Sequence, residues 1–259
     1  MENLSTILLG MIQGATEFLP ISSSAHLVIA QTLLDVQSPG LLVEIVLHLG
    51  TLISVLIYFR RDLMQLAGGF FRAENDGTAS RREVGYLALA TLPAVVAALT
   101  LGDTVEAAFD DAGFTGWMLL VTTVVLASTR WSVSSEAAGM SWAIALIMGM
   151  AQALAILPGI SRAGITIAAG MWLGLGGKAS ARFAFLMAIP AILGAGIFKL
   201  LDVMEGVAPS IPGLMSGFLV AALVGYVVIA WLMNILRKGQ MHFFASYTLL
   251  VGIMVIFWL

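Results

Sequence analysis

Apolar residues run through this chain in long blocks separated by short polar interruptions. Six blocks reach or approach the roughly 20 residues that a helix needs to cross a bilayer core. They are Leu41–Phe59, Val84–Leu101, Phe114–Thr129, Ser180–Leu200, Pro212–Leu236 and His242–Leu259, and each predicts a spanning helix. Two further apolar stretches, Asn3–Leu34 and Ser141–Leu175, are interrupted at their centres by proline and polar residues. A backbone break at membrane depth is tolerated only where protein or a water-filled cavity surrounds it. Each of these two stretches is therefore expected to form a re-entrant helix–turn–helix, with turns at Leu19–Ser24 and Leu157–Gly164.

The resulting order is a hairpin and three spans, then a second hairpin and three spans. A re-entrant hairpin returns to its own side and three spans is an odd number, so the second half should sit upside down relative to the first. The expected fold is an all-α polytopic membrane protein with an inverted-topology repeat. It forms one membrane domain over 1–259, with repeat one at about 1–131 and repeat two at about 141–259. The hairpin sequences support the pairing. GMIQGATEFLPISSSAHL (Gly10–Leu27) and GMAQALAILPGISRAGIT (Gly149–Thr166) both open with Gly-Met-x-Gln and both break at Leu-Pro. Gln13 to Ser22 is nine residues, as is Gln152 to Ser161.

Composition agrees with a membrane location. Hydrophobic residues make up 60% of the 259-residue chain, charged residues 10%, and mean hydropathy is +1.01. A soluble domain carries about 25% charged residues. There are no cysteines, which excludes disulfides and thiolate metal sites. No basic residue precedes Gln13, so the N-terminus does not read as a cleaved signal peptide. Net charge is only −3, and the placement of the charges says more. Ten of the twelve Lys and Arg fall on one side of the expected topology: Arg60, Arg61, Arg72, Arg81, Arg82, Arg130, Lys178, Arg182, Arg237 and Lys238. The positive-inside rule makes that side cytoplasmic and puts both termini outside. Lys199 and Arg162 are the exceptions, and the opposite loop, Gly102–Gly113, is acidic. Gly68–Arg82 reads as a polar cytoplasmic linker.

Candidate chemistry gathers in the two hairpins. An intramembrane arginine such as Arg162 is costly unless paired, and it points to function. Its planar fork suits phosphate or carboxylate oxygens; the alternative is a structural ion pair with Glu17. Gln13 and Glu17 share a helical face at i, i+4. Glu17 could hold a divalent cation or act as a general base. Ser22, Ser23 and Ser24 follow a proline and suit the start of a half-helix, whose N–H groups attract anions. Ser161 and Thr166 repeat that logic, and Gly164 allows close backbone approach. For each hydroxyl the alternative is plain capping or back-bonding to the helix. His26 could be a nucleophile, a proton donor or an orienting partner. His48 and Glu44 read as supporting or structural. Gly170–Gly177 lacks the strand and Lys-Ser/Thr of a P-loop. An intramembrane anion site flanked by lipid most naturally takes a lipid with a phosphate or diphosphate head.

GATEFLPISSSAHL (Gly14–Leu27) resembles the first signature of the undecaprenyl-diphosphate phosphatase family, also called BacA or UppP. LPGISRAGIT (Leu157–Thr166) resembles the second, and the likeness extends along nearly the whole chain. The resemblance implies hydrolysis of undecaprenyl diphosphate to undecaprenyl phosphate, which recycles the lipid carrier for cell-wall synthesis, and it implies bacitracin resistance. It also implies a divalent cation (Mg²⁺ or Ca²⁺) and a bacterial inner membrane with the site opening outward. By position, Glu17, Ser23 and His26 match the first motif and Ser161, Arg162 and Thr166 the second. Some members carry a second Glu where this chain has Gln13. Expected partners are the polyprenyl diphosphate and the bilayer, with no nucleic acid and a homodimer as one option. A polyprenyl-phosphate transporter or flippase using the same anion site is the alternative function.

Overall fold

The computed structural model describes residues 2–33, 41–71, 77–109, 111–132, 139–203, 211–237 and 240–258. Among the described residues every regular element is helical. In chain order they are α1 (Glu2–Thr16), α2 (Ser23–Leu33), α3 (Leu41–Tyr58), α4 (Arg60–Phe70), α5 (Thr78–Phe109), α6 (Ala112–Ser128), α7 (Trp142–Leu154), α8 (Arg162–Trp172), α9 (Gly177–Val203), α10 (Ile211–Leu236) and α11 (Phe244–Trp258). Short 3₁₀ turns occupy Thr129–Trp131 and Met241–Phe243.

Among the described residues five helices are long and apolar enough to cross a membrane, and a sixth span is available if α3 and α4 count as one path bent by 72°. The molecule is a polytopic membrane protein. Large apolar residues on the long helices point outward, with Val124 and Leu223 both 69% exposed. That rim suits lipid rather than water. The core lies between the helices and is built around Phe18, Phe183, Phe185, Met148 and Ile167. Helices α1 and α7 have 15 and 13 residues, and α2 and α8 have 11 each. At about 1.5 Å per residue none crosses a core about 30 Å thick, as a re-entrant hairpin requires.

The breaks fall slightly differently from the sequence expectation. The first runs from Glu17 to Ser22 and the second from Ala155 to Ser161, so Ser23, Ser24 and Arg162–Gly164 already belong to α2 and α8. Serine side chains cap both helices and let them begin that early: Ser22 Oγ accepts from the Ala25 N–H and Ser161 Oγ from the Gly164 N–H. The expected polar linker is also more ordered than its composition suggested. Helix α4 runs to Phe70 and α5 starts at Thr78. Likewise α5 extends to Phe109, and Asp111 caps α6 by accepting from the Phe114 N–H at 2.9 Å. Arg72, Asp110 and Lys238 lie outside the described residues.

The two halves interlock. Helix α1 packs on α10, and α7 packs on α5. The glycines that open the repeated motifs make both contacts close. A Cβ on Gly10 would lie 2.5 Å from the Gly217 carbonyl oxygen, and one on Gly149 would lie 2.4 Å from that of Ala90. Helices α3 and α9 meet each other, as do α6 and α11. A Gly149→Val protein should therefore be overpacked, and its detergent-state Tm should fall by roughly 5–10 °C. A thermal melt of the two proteins side by side checks this.

One end of the bundle is basic. Arg182 of α9 pairs with Asp62 of α4 and Glu83 of α5. A Cβ on Gly177 would lie 2.8 Å from the Leu236 carbonyl, which brings the start of α9 to the end of α10 near Arg237. The two 3₁₀ turns touch, which adds Arg130, stacked over Trp131 at 4.5 Å, to the same end.

Candidate active site

Residues from both breaks converge at the middle of the molecule. Glu17 follows α1 directly, with its side chain only 5% exposed. Its Oε1 accepts from Arg162 Nη2 at 2.9 Å, across 145 residues of sequence. Its Oε2 accepts from Ser23 Oγ at 2.6 Å and from Gln13 Nε2 at 3.0 Å. His48 Nε2, on α3, stands 3.7 Å from the same oxygen. One carboxylate thus gathers groups from α1, α2, α3 and α8. The structural ion pair that the sequence left open exists in this state. It does not consume the arginine, because Arg162 keeps 27% of its side chain exposed and has donors to spare.

Gln13 is wholly buried. A carboxylate only accepts, so the amide presents Nε2 to Glu17, which leaves Oε1 buried with no partner among the described residues. Its repeat counterpart, Gln152, lacks such a neighbour because Ile156 stands where Glu17 stands in the first hairpin. Both amide atoms of Gln152 are buried and without a partner among the described residues.

The serines divide by task. Ser23 is half-buried and bonded to Glu17. Ser22 is 3% exposed, takes φ +68°, and shares a hydrogen bond of 3.1 Å with Ser24 Oγ. A left-handed serine is uncommon and costs about 1 kcal/mol or more, so the turn is held by its surroundings. Ser161 is 2% exposed and Thr166 1%. Thr166 Oγ1 donates to the Arg162 carbonyl at 2.7 Å, and the Ser161 N–H donates to Thr122 Oγ1 at 3.0 Å. Thr122, on α6, donates onward to the Gly159 carbonyl at 2.9 Å. In this state Ser161 and Thr166 hold the loop and first turn that aim Arg162. Gly164 sits under the tip of the first hairpin, where a Cβ would lie 3.0 Å from Ser161 Cβ and 3.5 Å from Pro20 Cβ.

His26 makes a different pair of contacts. Its Nδ1 lies 2.7 Å from the Ser22 carbonyl, which can only accept, so Nδ1 carries the proton. The neutral ring then accepts at Nε2, 2.7 Å from Tyr247 Oη on α11, and the tyrosine donates. His26 therefore touches the turn of the first hairpin and the last helix, while the carboxylate binds Ser23. Sequence reasoning left out Tyr247 and placed His48 only in support. His48 follows Glu44 by four residues on α3, and nothing local could show that Glu17 lay opposite.

The arrangement can bind an anion and move a proton. An exposed guanidinium edge lies beside a half-helix N-terminus, and a carboxylate accepts a hydroxyl proton at short range. Oxygen ligands for a hard cation are also present: the Glu17 carboxylate and the orphaned Gln13 Oε1. No group of three or more His, Cys, Asp or Glu gathers among the described residues, so phosphate oxygens would have to complete such a shell.

A family profile described as "Bacitracin resistance protein BacA" matches residues 6–254. An undecaprenyl-diphosphatase of Syntrophotalea carbinolica is 42% identical over 256 residues, covering 97% of each chain. One of Myxococcus xanthus is 40% identical, over 99% of this chain and 89% of its own. One of Alcanivorax borkumensis is 38% identical over 100% of both.

Proposed function

This chain belongs to the bacitracin resistance protein BacA family, and from that membership and the converging hairpins we infer that Glu17, Ser23 and Arg162 form its catalytic centre. The protein is a membrane hydrolase that cleaves undecaprenyl diphosphate to undecaprenyl phosphate and inorganic phosphate. The three relatives above are named for this hydrolysis and none for transport. The observation that carries the site assignment is the shared carboxylate: Glu17 holds Arg162 with one oxygen and Ser23 with the other.

An incoming diphosphate competes for Arg162, whose fork takes the terminal phosphate oxygens. Glu17 loses part of its partner and becomes the better base. It takes the proton of Ser23, and the serine oxygen attacks the terminal phosphorus. The bridging P–O bond breaks, and undecaprenyl phosphate leaves with the electron pair. Water then hydrolyses the phosphoserine and releases phosphate. The N–H groups at the starts of α2 and α8 steady the equatorial oxygens, so positioning and charge do most of the work. Ser22, Ser24, Ser161, Thr166 and Gly164 shape the two turns that aim these groups. His26, protonated at Nδ1 and held by Tyr247, orients the first turn.

Glu17 and Gln13 Oε1 would hold a divalent cation together with substrate phosphates, and the ion would neutralise phosphate charge. Gln13→Glu places a second carboxylate at i, i+4 from Glu17. It should tighten cation binding about tenfold, because affinity follows the count of charged ligands. Calorimetric titration with Mg²⁺ or Ca²⁺ in detergent reads this without turnover.

The inverted repeat is supported by the exchanged packing of α1 on α10 and α7 on α5. The positive-inside rule favours the basic end as cytoplasmic, so the first hairpin enters from the opposite face and the site opens away from the cytosol. That placement and a cell-wall lipid carrier as substrate support a bacterial inner membrane as the location.

The test is phosphate release from undecaprenyl diphosphate by purified protein, with Mg²⁺, Ca²⁺ or EDTA. Cation-dependent release that Ser23→Ala lowers by about a hundredfold or more supports the reading. No release from folded wild-type protein under any cation overturns it.

A further inference from the structure

Beside the first break lies a cavity of about 550 Å³. Its walls come from the end of α1 and the turn (Thr16, Leu19), from α10 (Trp231, Ile235) and from the start of α11 (Phe244, Tyr247). Among the described residues no charged side chain lines it. Two of its polar groups are already engaged, Thr16 Oγ1 with the Ile12 carbonyl at 2.7 Å and Tyr247 Oη with His26 at 2.7 Å. The size lies within the roughly 300–1,000 Å³ of ordinary ligand sites, and the lining is apolar and aromatic. An aqueous anion would find one amide, that of Gln240, and no cation in it.

We propose that this cavity seats isoprene units of the substrate's polyprenyl chain. The inference rests on the phosphatase reading and adds to it a site for the hydrocarbon. Continuity argues for the substrate's own chain over a passing lipid. The residues of the cavity wall alternate along one turn with the residues of the phosphate site: Thr16 precedes Glu17, and Leu19 is followed within five residues by Ser22, Ser23 and Ser24. Tyr247 belongs to both, since its ring faces the cavity and its hydroxyl holds His26. A chain whose diphosphate lies between Arg162 and Ser23 has the cavity on the other side of the same turn. The α10 and α11 walls belong to helices long and apolar enough to cross a membrane, so the chain can enter sideways from the bilayer without crossing water.

Two substrates separate the chain from the head. Undecaprenyl diphosphate carries the long chain, while dimethylallyl diphosphate carries the same head on a single isoprene unit. Ile235→Trp and, at the rim, Gln240→Trp fill the cavity without touching any residue placed in the catalytic centre. Each variant should raise KM for undecaprenyl diphosphate about tenfold, the loss expected if two methylene groups are no longer buried. The kcat should hold, and cleavage of dimethylallyl diphosphate should be unchanged. Elution as a single peak and a wild-type melting curve confirm folding. If the folded variants treat both substrates as wild type does, or weaken both alike, the chain does not sit there and the proposal falls. If wild-type protein cleaves neither substrate, the phosphatase reading itself fails and takes this inference with it.

Discussion

An Arg162→Ala protein is expected to lose about a thousandfold in kcat/KM for undecaprenyl diphosphate, or about 4 kcal/mol of transition-state stabilisation. The guanidinium is the single cation from the second hairpin that reaches the Glu17 carboxylate among the described residues. It is also the group best suited to grip a terminal phosphate with two parallel hydrogen bonds. Arg162→Lys keeps the charge and loses the fork, so it should recover only a small part of the rate. The substitution has a structural cost as well, since it leaves Glu17 buried with Ser23, Gln13 and the more distant His48. Measuring stability beside rate separates the two. A rate loss much larger than any change in Tm assigns Arg162 to the chemistry. A rate that survives in folded Arg162→Ala protein reduces the arginine to a structural tie.

Glu17→Gln should cost a similar factor, about a thousandfold in kcat, and should abolish any stimulation by cations. The substitution preserves volume and its amide oxygen can still accept from Ser23 and Gln13, while its amide nitrogen then faces Arg162, which loses its acceptor. What disappears is the base and the negative charge. The double variant Glu17→Gln/Arg162→Ala should be no slower than the worse of the two single variants, because the groups act as one unit. Steady-state rates of the four proteins at matched cation concentration close the cycle. Fully multiplied losses would show instead that the two residues work in separate places.

Much of this site was legible in the sequence because its chemistry violates the composition around it. A Glu, an Arg and a run of serines inside apolar stretches have few explanations at membrane depth, and Leu-Pro with serine caps marks where the helices stop. With the serine caps of α2 and α8 in place, both breaks lie slightly nearer the N-terminus than the expected turns, and each still overlaps its expected turn. What stayed hidden depends on distance along the chain. Tyr247 is 221 residues from His26, and His48 reaches Glu17 from another helix. The early start of α5 and the presence of α4 were obscured by their polar faces, which read as loop but lie on helices tied down by Arg182. The motif alignment does carry one fact that only the geometry explains. Ser23 in the first hairpin aligns with Arg162 in the second, and Glu17 aligns with Ile156. In the proposed site the two matching motifs take different tasks, with base and nucleophile on one hairpin and the phosphate clamp on the other.

The packing of α1 on α10 also bears on how the chain is made. The first hairpin leaves the ribosome early, while the helix that covers Gly10 and Gly14 follows about 200 residues later. Until α8 is made Glu17 lacks the second hairpin's arginine, and until α10 follows the Gly10–Gly14 face of α1 has no packed neighbour. Synthesis therefore passes through a long stage in which a hairpin carrying buried polar groups waits in the membrane for the last part of the chain. A nascent chain stopped before Ile211 should be a substrate for membrane quality control, however complete its first half.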